Sequence, residues 1–360
     1  MSLVKQTVIE GNTYNKYIAR KWIFLFLLVL ILFITILVSI SIGSSGLALG
    51  DVMRALFGVG DKGSMSIIWN IRLPRVATAV GAGIALALAG CIMQNVLRNP
   101  LASASTLGVA QGASFGAAVA IIYFQAGVTV TSSSGANISI TNPYLVVASA
   151  FIGGIITTTL ILLLARVVGV SPATMILAGV AIAAMFAGAT TIIQYFSDDT
   201  KVASVVYWTF GNLGRAGWNE IGIIYLACAV SFIYFIYNRW NYNALESGSN
   251  TAKSLGVNVD SLVVISMLVA TLISATAIAF VGTIGFIGLI APHIVRRFIG
   301  NDYRFLIPCS AIMGAIIMLL ADLVSRVLIM PAILPIGAIT TFIGAPLFLY
   351  LILRRGKRIE

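Results

Sequence analysis

Long apolar runs, separated by short polar segments, cover almost the whole chain. We delimit ten of them, and most are long enough to cross about 30 Å of hydrocarbon as an α-helix. The runs lie at residues 22–42, 76–97, 103–124, 144–165, 172–196, 219–237, 261–281, 284–298, 305–329 and 336–353. The pattern predicts an all-α integral membrane protein with about ten transmembrane helices in a single domain, residues 22–355, after a polar cytoplasmic segment, residues 1–21.

The run at 284–298 is shorter than the others and contains Pro292 and several glycines. We expect a tilted or broken span there, buried among the other helices, because irregular backbone at membrane depth must be covered by protein. Other helix starts are clearly marked. Asn142 and Ser171 each precede a proline, so each places a capping side chain before a residue suited to the first helical position.

The composition excludes an ordinary soluble domain. Hydrophobic residues make up 59% of the chain and charged residues 9%, whereas soluble domains have about 25% charged residues. With the N-terminus inside, the inner segments hold 15 Lys and Arg residues and the outer segments 7, which sum to the 22 present. This asymmetry follows the positive-inside rule and predicts that both termini are cytoplasmic. The net charge of +11 therefore indicates membrane lipid, and not nucleic acid, as the partner.

Two polar stretches lie between the spans. Residues 43–75 form a predicted outer loop that ends in Arg72-Leu73-Pro74-Arg75, and residues 238–260 form a predicted inner loop. Within the inner loop, residues 251–256 fit a short surface helix with Gly256 as its C-terminal cap. A loop of that length between two spans could carry a docking surface.

The sequence contains no convincing motif for catalysis, metal binding or nucleotide binding. Cys91, Cys228 and Cys309 lie in separate apolar runs, which indicates buried thiols and no metal or disulfide site. No P-loop motif occurs, so any ATP would be bound by another subunit. Residues 112–116 match GxSxG, but they lie in an apolar helix and the single histidine is His293. We therefore predict no catalytic residues, metal ligands or cofactor in this chain.

Small residues and charges within the spans give two further indications. Gly108, Gly112 and Gly116 lie four apart, on one helix face, which predicts either close helix packing or a lining of a transport path. Asp322 and Arg326 lie at helix-pair spacing near the outer end of a span. Mid-membrane carboxylates are lacking in the sequence, which disfavours an ion-coupled secondary transporter.

The stretch 282–355 strongly resembles the FecCD family of permeases. It does so through Gly285-Phe286-Ile287-Gly288-Leu289-Ile290-Ala291-Pro292-His293-Ile294, Asp302, Arg304, Ala321-Asp322, Arg326, Leu334-Pro335-Ile336-Gly337 and Ile343-Gly344-Ala345-Pro346. Earlier stretches are similar to the family at Arg72-Leu73-Pro74-Arg75, Gly90, Gln94, Arg98-Asn99-Pro100-Leu101-Ala102, Leu107-Gly108, Leu177-Ala178-Gly179-Val180, Ala252 and Leu255-Gly256. The chain departs from the usual pattern at Thr283, Tyr303 and Ile333, and the last of these puts one outer polar contact in doubt.

The resemblance implies a fold like that of the vitamin B12 permease, the type II ABC importer fold, in a bacterial or archaeal cytoplasmic membrane. It implies a pathway between two permease subunits, two ATPase subunits that bind ATP and Mg, and an extracytoplasmic substrate-binding protein. The expected substrate is an iron–siderophore, haem or a corrinoid such as vitamin B12.

The same resemblance implies roles for particular residues. Arg72, Arg75 and Arg326 match arginines that dock the binding protein, for which anchoring at lipid headgroups is the alternative. The ATPase is expected to contact the inner loop, and the inner gate to lie at the turn between the fourth and fifth spans. The residues concerned are Ala252, Lys253, Leu255 and Gly256 for the ATPase and Ser171 and Thr174 for the gate.

Rival interpretations remain at this point. The chain could be an ion-coupled secondary transporter, an intramembrane enzyme or a membrane scaffold, and co-purification of an ATPase would separate the importer from all three. The sequence does not distinguish the candidate chelates, nor does it tell whether the partner permease is an identical chain or a relative.

Overall fold

A computed structural model describes residues 2–43, 49–126, 129–130, 138–139, 142–168, 171–330 and 332–356. Each of the ten apolar runs contains a helix. These helices are α1 Ser2–Ser41, α4 Leu73–Val96, α5 Val109–Ile122, α6 Pro143–Val168, α7 Pro172–Tyr195, α9 Trp218–Tyr237, α12 Val259–Val281, α13 Ile287–Ile299, α14 Tyr303–Val327 and α15 Ile336–Gly356. The all-α class is thereby confirmed.

Shorter elements connect these helices. They are α2 Leu49–Leu56, α3 Lys62–Ile67, a π-helical turn Ile68–Arg72 that leads into α4, α8 Asp199–Thr209, α10 Arg239–Glu246 and α11 Ser249–Ser254. Two-residue strands at Thr129–Val130 and Ile138–Ser139 pair antiparallel. In the described part of the chain, seven helical segments are long and apolar enough to cross a membrane, and α5 and the described part of α15 are shorter apolar helices.

Two spans are shorter than their apolar runs, for local reasons. Helix α5 begins only after Gly108, whose φ of +82° is left-handed, and the backbone N–H of Ser103 donates to Thr106 Oγ1 at 2.8 Å in the preceding turn. Helix α13 follows Gly282 and Phe286, which have φ values of +84° and +67°. Its 13 residues are about 20 Å long. Helix α13 by itself is therefore too short to cross about 30 Å of hydrocarbon.

Helix α4 lies at the centre of the bundle, packed against α9, α12, α13 and α14. Glycines allow two of these contacts. A β-carbon on Gly83 would lie 2.5 Å from the carbonyl oxygen of Gly314 in α14, and one on Gly90 would collide with the carbonyl oxygen of Gly288 in α13. Backbones therefore touch backbones here, as in other tightly packed membrane helices.

The glycine row of α5 is also a packing surface. β-Carbons on Gly112 and Gly116 would collide with α6, at Gly153 and Ser149 respectively, while Gly108 faces Ala183 of α7. Of the two interpretations of this row, the structure supports close helix packing.

Charged side chains join α1 to α14 at two levels. At one end Lys21 Nζ lies 3.0 Å from a carboxylate oxygen of Asp302, and at the other Arg326 donates to the carbonyl oxygen of Ile42 at 2.8 Å. The two levels are 21 residues apart along α1 and 24 apart along α14, or roughly 32 and 36 Å of helix, which is enough to span a hydrocarbon core of about 30 Å. Following the topology predicted from the loop charges, we call the end with Lys21 and Asp302 the inner end and the end with Ile42 and Arg326 the outer end.

Candidate functional site

The three arginines predicted to dock a partner lie close together at the outer end, and two of them contact Asp322. Arg75 Nε of α4 lies 2.8 Å from Asp322 Oδ1, and Arg326 Nε of α14 lies 2.9 Å from Oδ2. The Asp322 side chain is fully buried. One carboxylate thus pairs with two guanidinium groups, and a buried charge requires such pairing.

Arg72 and Arg326 also cap the C-terminal end of α1. Arg72 donates to the carbonyl oxygens of Ile40 and Ser41, at 2.6 and 2.9 Å. Arg326 donates to the carbonyl oxygen of Ile42 and, at 2.7 Å, to Ser39 Oγ. The last carbonyls of a helix lack partners within it, and cations interact favourably with this end of the helix dipole.

These contacts limit what the arginines offer to a partner. The side chains of Arg75 and Arg326 are 12% and 9% exposed, and Arg72 is buried. The pairing of Asp322 with Arg326 that the sequence indicates is present, and Arg75 joins it. Three arginines and one aspartate leave an excess charge of +2 in the cluster.

Sequence reasoning missed the position of a further arginine beside this cluster. Arg215 lies in the turn between α8 and α9 and lines, with Arg75, a cleft of about 410 Å³. Its two terminal nitrogens are buried and meet no hydrogen-bond acceptor in the structure. The sequence contains no signal for this arrangement beyond an arginine in a glycine-containing loop.

The inner loop forms the surface predicted to contact an ATPase. Helix α11 ends in a Schellman motif, in which Gly256 N–H donates to the carbonyl oxygen of Lys253 and Val257 N–H to that of Ala252, both at 3.0 Å. Gly256 has the left-handed φ of +83° that this motif requires. The predicted short helix and its glycine cap are thus present.

The four predicted contact residues divide into two groups. Ala252 is fully buried and anchors α11 against the rest of the chain. Lys253 and Gly256 are exposed, and Leu255 is 68% exposed. Of the four, Lys253, Leu255 and Gly256 are therefore accessible to a partner, and Leu255 is the apolar side chain among them.

Helix α10 connects this surface to the spans through polar contacts. Glu246 accepts hydrogen bonds from Asn95 of α4, at 3.3 Å, and from Asn301, at 2.6 Å, in the turn before α14. Tyr242 and Ser266 of α12 are joined by a hydroxyl hydrogen bond of 2.8 Å. A displacement of α10 would therefore be transmitted to α4, α12 and α14.

The predicted gate residues lie at the start of α7. Ser171 is the N-cap, and its hydroxyl accepts from the backbone N–H of Thr174 at 3.1 Å and contacts Thr174 Oγ1 at 2.7 Å. The cap predicted at Asn142 is also present, because its side-chain oxygen accepts from Leu145 N–H at 3.2 Å. Both side chains at the gate position are partly exposed, and their role in gating stays a prediction.

Ionisable side chains at the inner end form a second cluster. Asp302 accepts from Arg304 Nη2 at 2.8 Å as well as from Lys21. Burial raises the pKa of Asp302, but the hydrogen bonds from Arg304 and Lys21 outweigh burial and hold the pKa well below its usual range. Among the described residues, no three His, Cys, Asp or Glu side chains group as a metal site would require.

Known proteins resemble this chain over most of its length. A relative in Methanocaldococcus jannaschii, provisionally named an ABC transporter permease protein, is 50% identical and covers 96% of this chain and 98% of its own length. The hemin transport system permease protein HmuU of Yersinia pestis is 36% identical and covers 88% of this chain and 92% of its own.

A solved structure of a transporter provisionally described as metal-chelate type, in an inward-facing conformation, superposes with a TM-score of 0.79. It shares 30% identity and covers 92% of this chain and 98% of its own. Residues 30–354 match the model of the FecCD transport family. The chain belongs to the FecCD transport family and is a multi-pass membrane permease of the ABC importer class.

Proposed function

We propose that this chain is the permease subunit of an importer that moves an iron–siderophore, haem or a corrinoid across the cytoplasmic membrane. Two such subunits enclose the pathway, a binding protein delivers the chelate from outside, and two ATPase subunits bind ATP and Mg. The observation that supports this most strongly is the family match over residues 30–354. Both termini are then cytoplasmic, in accord with the charge asymmetry of the loops.

The outer arginine cluster supports docking of the binding protein. Arg72, Arg75 and Arg326 are held within one cluster whose excess charge of +2 is not neutralised by Asp322. Acidic side chains on a docking protein would complement this excess, and guanidinium groups form forked, charge-assisted bonds to carboxylates. Because the arginines are already ordered by α1 and Asp322, little side-chain entropy would be lost on docking.

The inner surface supports contact with an ATPase. Leu255 presents an exposed apolar side chain at the end of a capped helix, as a residue that enters a cleft of a partner would. The hydrogen bonds that Glu246 accepts from Asn95 and that Tyr242 shares with Ser266 then pass a movement of this surface to the spans. Closure of the ATPase pair would move α10 and α11 together and alter access at the gate residues Ser171 and Thr174.

The test is ATP hydrolysis by the purified permease–ATPase complex in lipid, with binding protein loaded with one chelate at a time. We expect stimulation by one loaded form and loss of stimulation in the double variant Arg72→Glu, Arg75→Glu. The matched control is Arg54→Glu with Lys62→Glu, which makes the same charge change at exposed positions of the same loop. Because Arg72 is buried, its substitution could disturb folding, so Arg75→Gln alone serves as a milder variant. Co-purification of the ATPase reports whether each variant still assembles.

Two results would contradict the proposal. If no ATPase co-purifies and no binding protein stimulates hydrolysis, the importer function fails and ion-coupled transport is tested next. If stimulation persists in both arginine variants, the importer stands but docking at this cluster fails.

A further inference from the structure

The guanidinium end of Arg215 is buried without a hydrogen-bond acceptor, although the residue as a whole is partly exposed. Neither of its terminal guanidinium nitrogens meets a hydrogen-bond acceptor in the structure, and both are covered from solvent. Burial lowers the pKa of Arg215. An arginine remains charged in proteins, so a guanidinium left in this state destabilises the chain that carries it.

Nearby carboxylates are engaged elsewhere. Glu220 accepts from Gly217 N–H and from the Tyr144 hydroxyl, both at 2.9 Å, and it forms no ion pair with Arg215. Asp322 is shared by Arg75 and Arg326. The chain therefore supplies no anion to Arg215 among its described residues, although two carboxylates lie at the same end of the bundle.

The loop that carries Arg215 is held in place. Asn212 N–H donates to the carbonyl oxygen of Val281, at the end of α12, at 2.7 Å. The Asn212 side chain accepts from Gly214 N–H at 2.8 Å, and the hydrogen bond from Gly217 to Glu220 fixes the start of α9. Arg215 thus lies on an ordered turn between two anchored points.

The cleft beside Arg215 has the character of an anion site. It lies between the start of α4 and the turn that precedes α9, and its polar lining consists of Asn70, Arg75, Asn212 and Arg215. No acidic residue lines it. A volume of about 410 Å³ exceeds what one carboxylate side chain needs, and the cleft opens beside the outer arginine cluster.

We propose that the cleft between Arg75 and Arg215 receives an acidic side chain of the binding protein and that Arg215 is its main ligand. This inference rests on the proposed function and adds to it a residue and a position. The Arg215 side chain lines the cleft, but its terminal nitrogens are covered from solvent, so docking requires the guanidinium to turn toward the incoming carboxylate. Docking would then give the buried guanidinium a counter-charge and so remove an unfavourable free energy. Because only an anion gives this gain, the contact would be specific for an acidic side chain.

The test compares Arg215→Met, Arg215→Lys and Arg54→Met in the complex reconstituted in lipid. The first removes the charge and keeps an unbranched apolar chain, the second keeps the charge without the fork, and the third removes an exposed arginine at the same end. We measure the Kd of the loaded binding protein that stimulates hydrolysis, together with the Tm of each permease. In a parallel arm, citrate is titrated into the permease without binding protein, with Tm as the readout.

We expect Arg215→Met to weaken binding about tenfold or more, Arg215→Lys to weaken it less, and Arg54→Met to change it less than about twofold. We also expect the Tm of Arg215→Met to equal or exceed that of the wild type, because an unpaired buried charge is removed. A residue that only supports the fold would instead show a lower Tm, and that result would overturn the inference.

The remaining outcomes separate this inference from the proposed function. If the wild type binds the binding protein and Arg215→Met binds it within about twofold, the inference fails and the proposed function stands. If citrate raises the Tm of the wild type but not of Arg215→Met while docking is unchanged, the occupant is a small free carboxylate and the docking claim is overturned. If no binding protein binds the wild type, both the proposed function and the docking claim fail.

Discussion

Arg75 and Asp322 form an ion pair of 2.8 Å although 247 positions separate them in the chain. The pair joins the first turn of α4 to the last turns of α14, where Arg326 contacts the same carboxylate. Two guanidinium groups thus depend on one buried anion.

Loss of that anion should destabilise the permease strongly. In Asp322→Asn both arginines remain in a buried setting without a counter-charge, which costs roughly 3–5 kcal/mol of unfolding free energy. Thermal unfolding in detergent measures the effect. The matched control is Asp198→Asn at the same end, an aspartate that is 78% exposed and whose surface ion pair contributes at most about 1 kcal/mol. Equal melting temperatures for the two variants would contradict the importance of the pair.

The inner cluster should show a defined pH dependence. The folded pKa of Asp302 lies below its usual range, so its contribution to stability is complete above the unfolded value of about 3.9 and is lost as the pH falls toward the folded pKa. Asp302→Asn should lower the unfolding free energy by about 1–2 kcal/mol at pH 7, a figure reduced by partial solvent screening.

This difference between Asp302→Asn and the wild type should shrink progressively below about pH 4. Melting temperatures of the wild type and of Asp302→Asn, recorded from about pH 3 to about pH 8, measure this difference. The exposed Asp260, also at the inner end, provides the control variant Asp260→Asn. A difference that stays constant down to the lowest pH would rule out ionisation of Asp302 as its source.

Close contact between α4 and α13 predicts a strong effect of a single methyl group. In Gly90→Ala the new β-carbon meets the backbone carbonyl of Gly288, which cannot move without shifting α13, so we expect a loss of about 1–3 kcal/mol or failure to fold. Gly222 of α9 has no atom within 4 Å of a β-carbon position, so Gly222→Ala should be neutral or stabilising by about 0.5–1 kcal/mol. Yield of folded protein and Tm distinguish the two, and a tolerated Gly90→Ala would argue against the close approach.

The exposed apolar residue of α11 predicts a specific defect in assembly. Leu255→Asp should reduce co-purification of the ATPase about tenfold or more, since a carboxylate would be buried in the partner's cleft. Asn250→Asp, at an exposed position of the same helix, should assemble normally. Because Leu255 is 68% exposed, its substitution should leave the Tm of the isolated permease unchanged. Normal assembly of Leu255→Asp would remove Leu255 from the interface.

Local features of this fold could be read from the sequence because their causes lie within a few residues. The caps at Asn142 and Ser171 and the left-handed Gly256 each depend on residues no more than four positions away. The late start of α5 at Val109 was missed because apolarity continues through residues 103–108, whereas side-chain hydrogen bonds and the left-handed Gly108 decide the backbone there.

The sites were less predictable than the helices, because they are made by contacts between distant parts of the chain. The three outer arginines could be identified as a set by resemblance, but the buried Asp322 that holds two of them depends on how α4 and α14 pack. The burial of Ala252, which removes its side chain from the accessible surface, likewise depends on the contact of α11 with the rest of the chain. Arg215 could not be found from the sequence, because the lack of a hydrogen-bond acceptor around its guanidinium depends on the packing of distant segments.

The two levels of contact between α1 and α14 have a mechanical consequence. Helices fastened at both ends, through Lys21 with Asp302 and through Arg326 with Ile42, cannot slide or rotate past each other without breaking a charged link. Because Arg75 also joins α4 to Asp322 of α14, the helices α1, α4 and α14 form one rigid group. Among the described residues no ion pair joins α5, α6, α7 or α9 to this group, so a displacement of those helices would break none of these links.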